Sequence, residues 1–217
     1  MHFSVLFIMA AFVMLNLHSG SMNFADFAAY AHQGDKFASL IFMLAFVGFG
    51  IKAGFVPFHN WLPDAHPAAP SHVSAVMSGV MIKTGLYGIL RVLFMLGTPT
   101  KCVAYIVFIV ALVTALYGIL YALAQRDLKK LLAYSSIENI GIIGLGIGLG
   151  MIGLAYGNPL VAMLGFAGGI LHILNHSIFK ELMFFGAGSV YNKTHTRDME
   201  VLGGLIKKMP KTAFLFI

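Results

Sequence analysis

Long apolar runs separated by short polar segments set the pattern of this chain. A spanning helix needs about 20 mostly apolar residues. Six stretches meet or approach that length: Met1–Leu17, Phe37–Phe58, Ser71–Leu96, Cys102–Ala124, Leu131–Tyr156 and Leu160–Val190. A seventh run, Pro210–Ile217, holds only the opening of such a pattern. The expected fold class is all-α, a polytopic transmembrane helix bundle. Residues 1–217 form one transmembrane domain of about six spans and the start of a seventh. Met1 opens directly into an apolar stretch, without the basic region and cleavage site of a signal peptide. The short first run and the cut-off last one read as a piece of a longer protein.

Two interruptions modify the pattern. After Phe58 comes HNWLPDAHPAAPSH, with Pro57, Pro63, Pro67 and Pro70 packed closely together. Each proline deletes a backbone donor and clashes with the preceding turn. The second span is therefore expected to break near Gly54–Pro57, with Gly54, Pro57 and Pro63 as the break residues. Broken backbone at membrane depth survives only where protein or a water-filled cavity satisfies the freed groups. A plain helix end with a proline-rich turn is the alternative. The run Gly144–Gly153 contains G-x-G-x-x-G at Gly148, Gly150 and Gly153, but it follows a helical apolar run and no strand. It reads as close helix packing.

Composition strengthens the membrane reading. Of 217 residues, 59% are apolar and 10% charged, against roughly 25% charged in an ordinary soluble domain. The net charge of +6 comes from short loops between apolar runs, a topology signal with no implication of nucleic acid. Arg126, Lys129, Lys130, Lys193, Arg197, Lys207, Lys208 and Lys211 fall on one side. Lys36 and Lys101, with Arg91 near a helix end, fall on the other. The richer side is expected to be cytoplasmic, with Met1 inside. The single Cys102 excludes a disulfide scaffold, a cysteine-held cluster and a Cys-rich zinc site.

The candidate chemistry lies in charges inside the apolar runs. A charge at the bilayer centre costs about 2.5–3.5 kcal/mol on insertion scales, so such residues face a polar interior and have a function by default. Lys52 sits late in the second span, Lys83 near the middle of the third, and Glu138 a turn or two into the fifth. The sixth carries His172, His176, Lys180 and Glu181. Residues 172, 176 and 180 recur every four positions and form one slanting stripe about 12 Å long. Glu181 is rotated about 100° away, to pair with Lys180 or with another helix.

Removing an amine from water penalises its charged form, which lets buried lysines and histidines trade protons near neutrality. Two ammonium groups ~10 Å apart repel by about 1.7 kcal/mol at an effective dielectric of ~20, so protonating one helps discharge the other. Blander readings stand beside this one. Lys52 and Lys83 could snorkel to the headgroups, Glu138 could be structural, and the histidines could be ordinary packed residues. Axial haem ligation needs two histidines facing each other from neighbouring helices. His59 and His72 are separated by the proline-rich loop, and His172 and His176 share a helix. No cofactor, metal or catalytic site is expected. The loop histidines His59, His66 and His72 are expected to hydrogen-bond the exposed backbone of the break.

The stretch KAGFVPFHNWLPDAHPAAPSHVSAVMSGVMIKTGLYGILR, with QRDLKKLLAYSSIENIG and HTRDMEVLGGL, resembles the antiporter-like membrane subunits of respiratory complex I and membrane-bound nickel–iron hydrogenases. The likeness runs from about Phe37 to the end. IENIG and HSIFKELMFF resemble most the hydrogenase-4 and formate hydrogenlyase branch. The resemblance implies five-helix repeats, inverted relative to one another and each holding a broken helix, and a horizontal proton path. On it Lys52 matches the broken-helix lysine, Lys83 the central lysine, His176 the second-repeat histidine, and Lys180 a lysine of some branches. Glu138 stands where complex I subunits carry a small polar residue. The family's upstream glutamate, and its lysine or glutamate on a later broken helix, lie outside this sequence.

The resemblance implies a proton-translocating subunit of a redox-driven complex, with no active site of its own. Its partners would be other membrane subunits, the lipid bilayer and, through those subunits, a soluble hydrogenase or dehydrogenase arm. Its place would be the bacterial or archaeal cell (inner) membrane. A multi-subunit cation/proton antiporter and a non-conducting anchor are the alternatives.

Overall fold

The structure, a computed structural model, describes residues 2–31 and 37–216. Met1, Lys36 and Ile217, which entered the readings above, lie outside the described residues. All regular elements among the described residues are helical. Helix α1 spans His2–Ser19, α2 Phe24–Ala31, α3 Ala38–Ala53, α4 Trp61–Ala68 and α5 Ser71–Val76. A π-helical segment, Met77–Met81, joins α5 to α6, Ile82–Leu96. Then follow α7 Lys101–Leu123, α8 Leu128–Ala155, α9 Pro159–Thr194, α10 Leu205–Lys208 and α11 Pro210–Phe216.

Five of these stretches are long and apolar enough to cross a membrane: α1, the continuous Ser71–Leu96, α7, α8 and α9. The 16-residue α3 is shorter. The expected runs correspond to α1, α3, α5 with α6, α7, α8, α9 and, for the last run, α11, although α3 stops at Ala53 and the short helices α4 and α10 lie between them. Helix α2 is an added short element. Helix α9 has 36 residues, a rise of about 54 Å, and so outruns a hydrocarbon layer of roughly 30 Å. Asn158 caps its start by accepting from the Val161 N–H at 3.2 Å, with Pro159 in the first turn, where no backbone donor is lost. At the start of α8 the Asp127 carboxylate accepts from the Lys129 and Lys130 N–H groups at 2.8 and 3.0 Å. These caps carry both helices further toward their N-termini than hydrophobicity alone indicates.

Helix α3 ends within the stretch where the break is expected. Gly54 closes α3 in the left-handed region, φ 94°, where glycine meets no Cβ penalty. Irregular backbone runs from there to Asn60. Pro63 does not belong to the break: it stands in the first turn of α4, where a missing N–H costs nothing. Two of the loop histidines, His59 and His66, also depart from expectation. The nitrogens of His59 and His66 have no hydrogen-bond partner among the described residues. His59 meets Tyr117 edge-on at 4.5 Å and His66 stacks on Phe184 at 4.6 Å. The backbone of the break is satisfied by other groups. Gly54 and Phe55 both donate to the Gly50 carbonyl, and the Val56 N–H donates to Thr114 Oγ1.

Helices α7, α8 and α9 pack through their small residues. A Cβ on Gly141 would lie 2.3 Å from the Ala115 nitrogen, and one on Gly118 2.3 Å from the Glu138 nitrogen. Gly146 faces Gly169, and Gly150 faces Gly165. The glycine run is therefore a backbone-to-backbone contact surface. The two basic loops placed on one side, around residues 126–130 and 193–211, also meet each other and the proline-rich loop. Arg197 donates to the Pro67 carbonyl at 2.7 Å and pairs with Asp127 at 3.2 Å, while Lys129 donates to the Ala69 carbonyl at 2.7 Å. At the other end Lys101 lies 4.2 Å over the ring of Tyr156.

Candidate functional site: a buried cluster of amines, imidazoles and hydroxyls

The π-helical segment shapes the site. In a straight α-helix residues 78 and 83 would point about 140° apart. An i→i+5 segment narrows that angle. The Lys83 amine thereby reaches back to donate to the Ser78 carbonyl. The next carbonyl, Gly79, accepts from Ser177 Oγ of α9 at 2.6 Å. Gly79 also leaves room for a side chain from α9: a Cβ there would sit 2.1 Å from Glu181 Oε1. Glu181 thus faces the π-helical segment on another helix, where its charge bears on Lys83.

Helix α8 forms the floor. Its Ser136 hydroxyl lies 2.8 Å from the Ser78 hydroxyl and donates to the Leu132 carbonyl at 2.9 Å. The same Leu132 oxygen accepts from Lys180 Nζ at 3.1 Å. Lys180 is 0% exposed and Lys83 8%. Neither amine has a carboxylate within salt-bridge distance among the described residues; both rest on backbone carbonyls. An ammonium taken out of water without a close counter-ion is held at a cost of several kcal/mol.

The stripe on α9 faces this floor. His172 and His176 stack with ring centres 6.3 Å apart. The Asn139 amide donates to the Ser135 carbonyl at 2.7 Å, which turns its Oδ1 toward His172 Nε2 at 2.9 Å. His176 is fully buried, lies edge-on to Phe179, and neither ring nitrogen has a protein partner among the described residues. Glu138 accepts from Ser135 Oγ at 3.4 Å, and its charge bears on both Lys180 and His172.

Of the residues singled out in the sequence, Lys83, Glu138, His172, His176 and Lys180 come together around α8. Lys52 stays on the last turn of α3, partly buried, with no hydrogen bond or ion pair among the described residues. It is next to Ala53, whose backbone nitrogen would lie 2.8 Å from a Cβ on Gly85, two residues beyond Lys83. Reading the sequence passed over Ser78, Ser136, Asn139 and Ser177. Small polar residues inside apolar spans at helical spacing from the candidates were the available signal for Ser136, Asn139 and Ser177. Ser78 had none, because the π-helical register is not written as a motif.

Comparisons with known proteins agree over nearly the whole chain. A family model described as NADH:quinone oxidoreductase/Mrp antiporter, transmembrane, matches residues 2–217. Hydrogenase-4 component B of Escherichia coli (strain K12) is 48% identical over 215 residues, 98% of this chain and 32% of that protein. Formate hydrogenlyase subunit 3 of the same organism is 45% identical over 170 residues, 78% of this chain and 28% of that protein. Among solved structures, a chain of the membrane-bound sulfane sulfur reductase, an archaeal respiratory membrane complex, superposes with a TM-score of 0.84. It is 31% identical, over 98% of this chain and 35% of that one. The chain thus spans about a third of the length of the curated relatives it matches.

Proposed function

Because the chain belongs to the NADH:quinone oxidoreductase/Mrp antiporter transmembrane family, we propose that it carries protons within a redox-driven membrane complex of the hydrogenase type. The observation that carries this reading is the pair of buried amines, Lys83 and Lys180, set on backbone carbonyls with carboxylates near but not paired. A structural ion pair would bring opposite charges into contact, since breaking one costs 3–5 kcal/mol. Amines left without that contact can change protonation state at small cost.

In this reading Lys52, Lys83, Glu138, His172, His176 and Lys180 are stations on one path. Glu181 adjusts Lys83 and Glu138 adjusts Lys180 through the local field. The unpartnered nitrogens of His176 are free to accept a proton on one side and release it on the other. Redox chemistry in partner subunits would alter charge at one end, and repulsion between neighbouring amines would pass the change along. Other membrane subunits, and through them a soluble hydrogenase arm, would complete the machine. The cell (inner) membrane of a bacterium or archaeon would be its setting.

Lys83→Met in the assembled complex is the direct test. The expected result is a loss of about 10²-fold or more in proton uptake, with assembly intact. Unchanged uptake would remove Lys83 from the mechanism and favour an anchoring role. Uptake that follows a gradient of another cation, without redox turnover, would favour an antiporter.

A further inference from the structure

We propose that the Ser78–Ser136 hydroxyl pair is the proton-carrying link between Lys83 and Lys180; this rests on the proton-carrying reading of the same cluster. The two serines come from different helices, are both 0% exposed and lie 2.8 Å apart. A hydroxyl donates one hydrogen and accepts two. Ser136 spends its hydrogen on the Leu132 carbonyl, so the Ser78 hydroxyl is the donor within the pair. The chain of donors runs in one direction: Ser78 to Ser136, then to Leu132, where the Lys180 amine meets the same oxygen. At the near end, the Lys83 amine sits on the backbone carbonyl of Ser78 itself.

The transfer balances without any further reactant. The Lys83 ammonium turns from the Ser78 carbonyl to the Ser78 hydroxyl and gives it a proton. Ser78 passes its own hydrogen to Ser136, and Ser136 swings its hydrogen from Leu132 to the neutral Lys180 amine. One N–H bond breaks, one forms, and each serine ends as a hydroxyl. The positive charge moves from α6 to α9. No electron moves.

The test uses the assembled complex with three variants: Ser136→Ala, Ser136→Thr and Lys83→Met. Ser136→Ala is expected to slow proton uptake about tenfold and change its solvent deuterium isotope effect, while Ser136→Thr, which keeps the hydroxyl, restores both. A merely structural serine would leave the isotope effect unchanged. Normal uptake and isotope effect in Ser136→Ala, with Lys83→Met inactive, would overturn the hydroxyl link and leave the lysine reading standing. Normal uptake in Lys83→Met would overturn both. Should Ser136→Ala fail to assemble, Ser78→Ala, which removes the other hydroxyl of the pair, makes the same comparison.

Discussion

Replacing Lys180 by methionine removes one amine and keeps a flexible side chain of similar length. Lys180 is fully buried and makes one hydrogen bond, 3.1 Å to the Leu132 carbonyl. Burying an ammonium costs several kcal/mol even after relaxation, while one charge-assisted hydrogen bond returns about 1.5–3 kcal/mol. The balance is unfavourable by a few kcal/mol. The substitution also leaves no orphan, because Leu132 still accepts from Ser136 Oγ. Lys180→Met is therefore expected to stabilise the fold by a few kcal/mol. Thermal unfolding of the detergent-solubilised complex measures it, with proton uptake followed on the same sample. The expected pair of results is a raised Tm and lost uptake. A lowered Tm would refute the reasoning, since it would make Lys180 a structural anchor.

Two further outcomes follow from the glycines. Gly141→Ala places a Cβ 2.3 Å from the Ala115 nitrogen and 2.8 Å from the Ala111 carbonyl, backbone atoms that cannot swing aside. A cost of about 1–3 kcal/mol is expected, partly offset by about 1 kcal/mol of helix propensity; Gly168→Ala, with nothing within 4 Å, should be neutral or stabilising. Comparing their Tm values checks this, and equal values would contradict the packing account. Gly79→Ala must displace Glu181, the flexible end of a side chain, so stability should change by about 1 kcal/mol or less while proton uptake falls. Glu181→Gln should lower uptake similarly, and the double variant should lose no more than either single one.

The period and length of the apolar runs were enough to define the spans, and glycine spacing was enough to mark the tightly packed helix. Gly54 marked where α3 ends, since backbone constraints are local. The four-residue spacing of His172, His176 and Lys180 placed them on one stripe, because helical geometry converts sequence spacing directly into direction. What that stripe faces is a tertiary matter. Glu181 had two possible partners by its angle alone, and packing of α9 against the π-helical segment turned it to Gly79 and Lys83. The loop histidines looked suited to capping the break, yet Thr114 and Gly50 satisfy that backbone and the rings of His59 and His66 went to Tyr117 and Phe184. Ser78 and Lys83 diverge on an ideal helix, so no reading of spacing could join them. One extra residue in a turn did so. Which groups lie in apolar surroundings follows from composition along the chain, whereas which of them touch depends on register between helices, and sub-ångström packing sets that register.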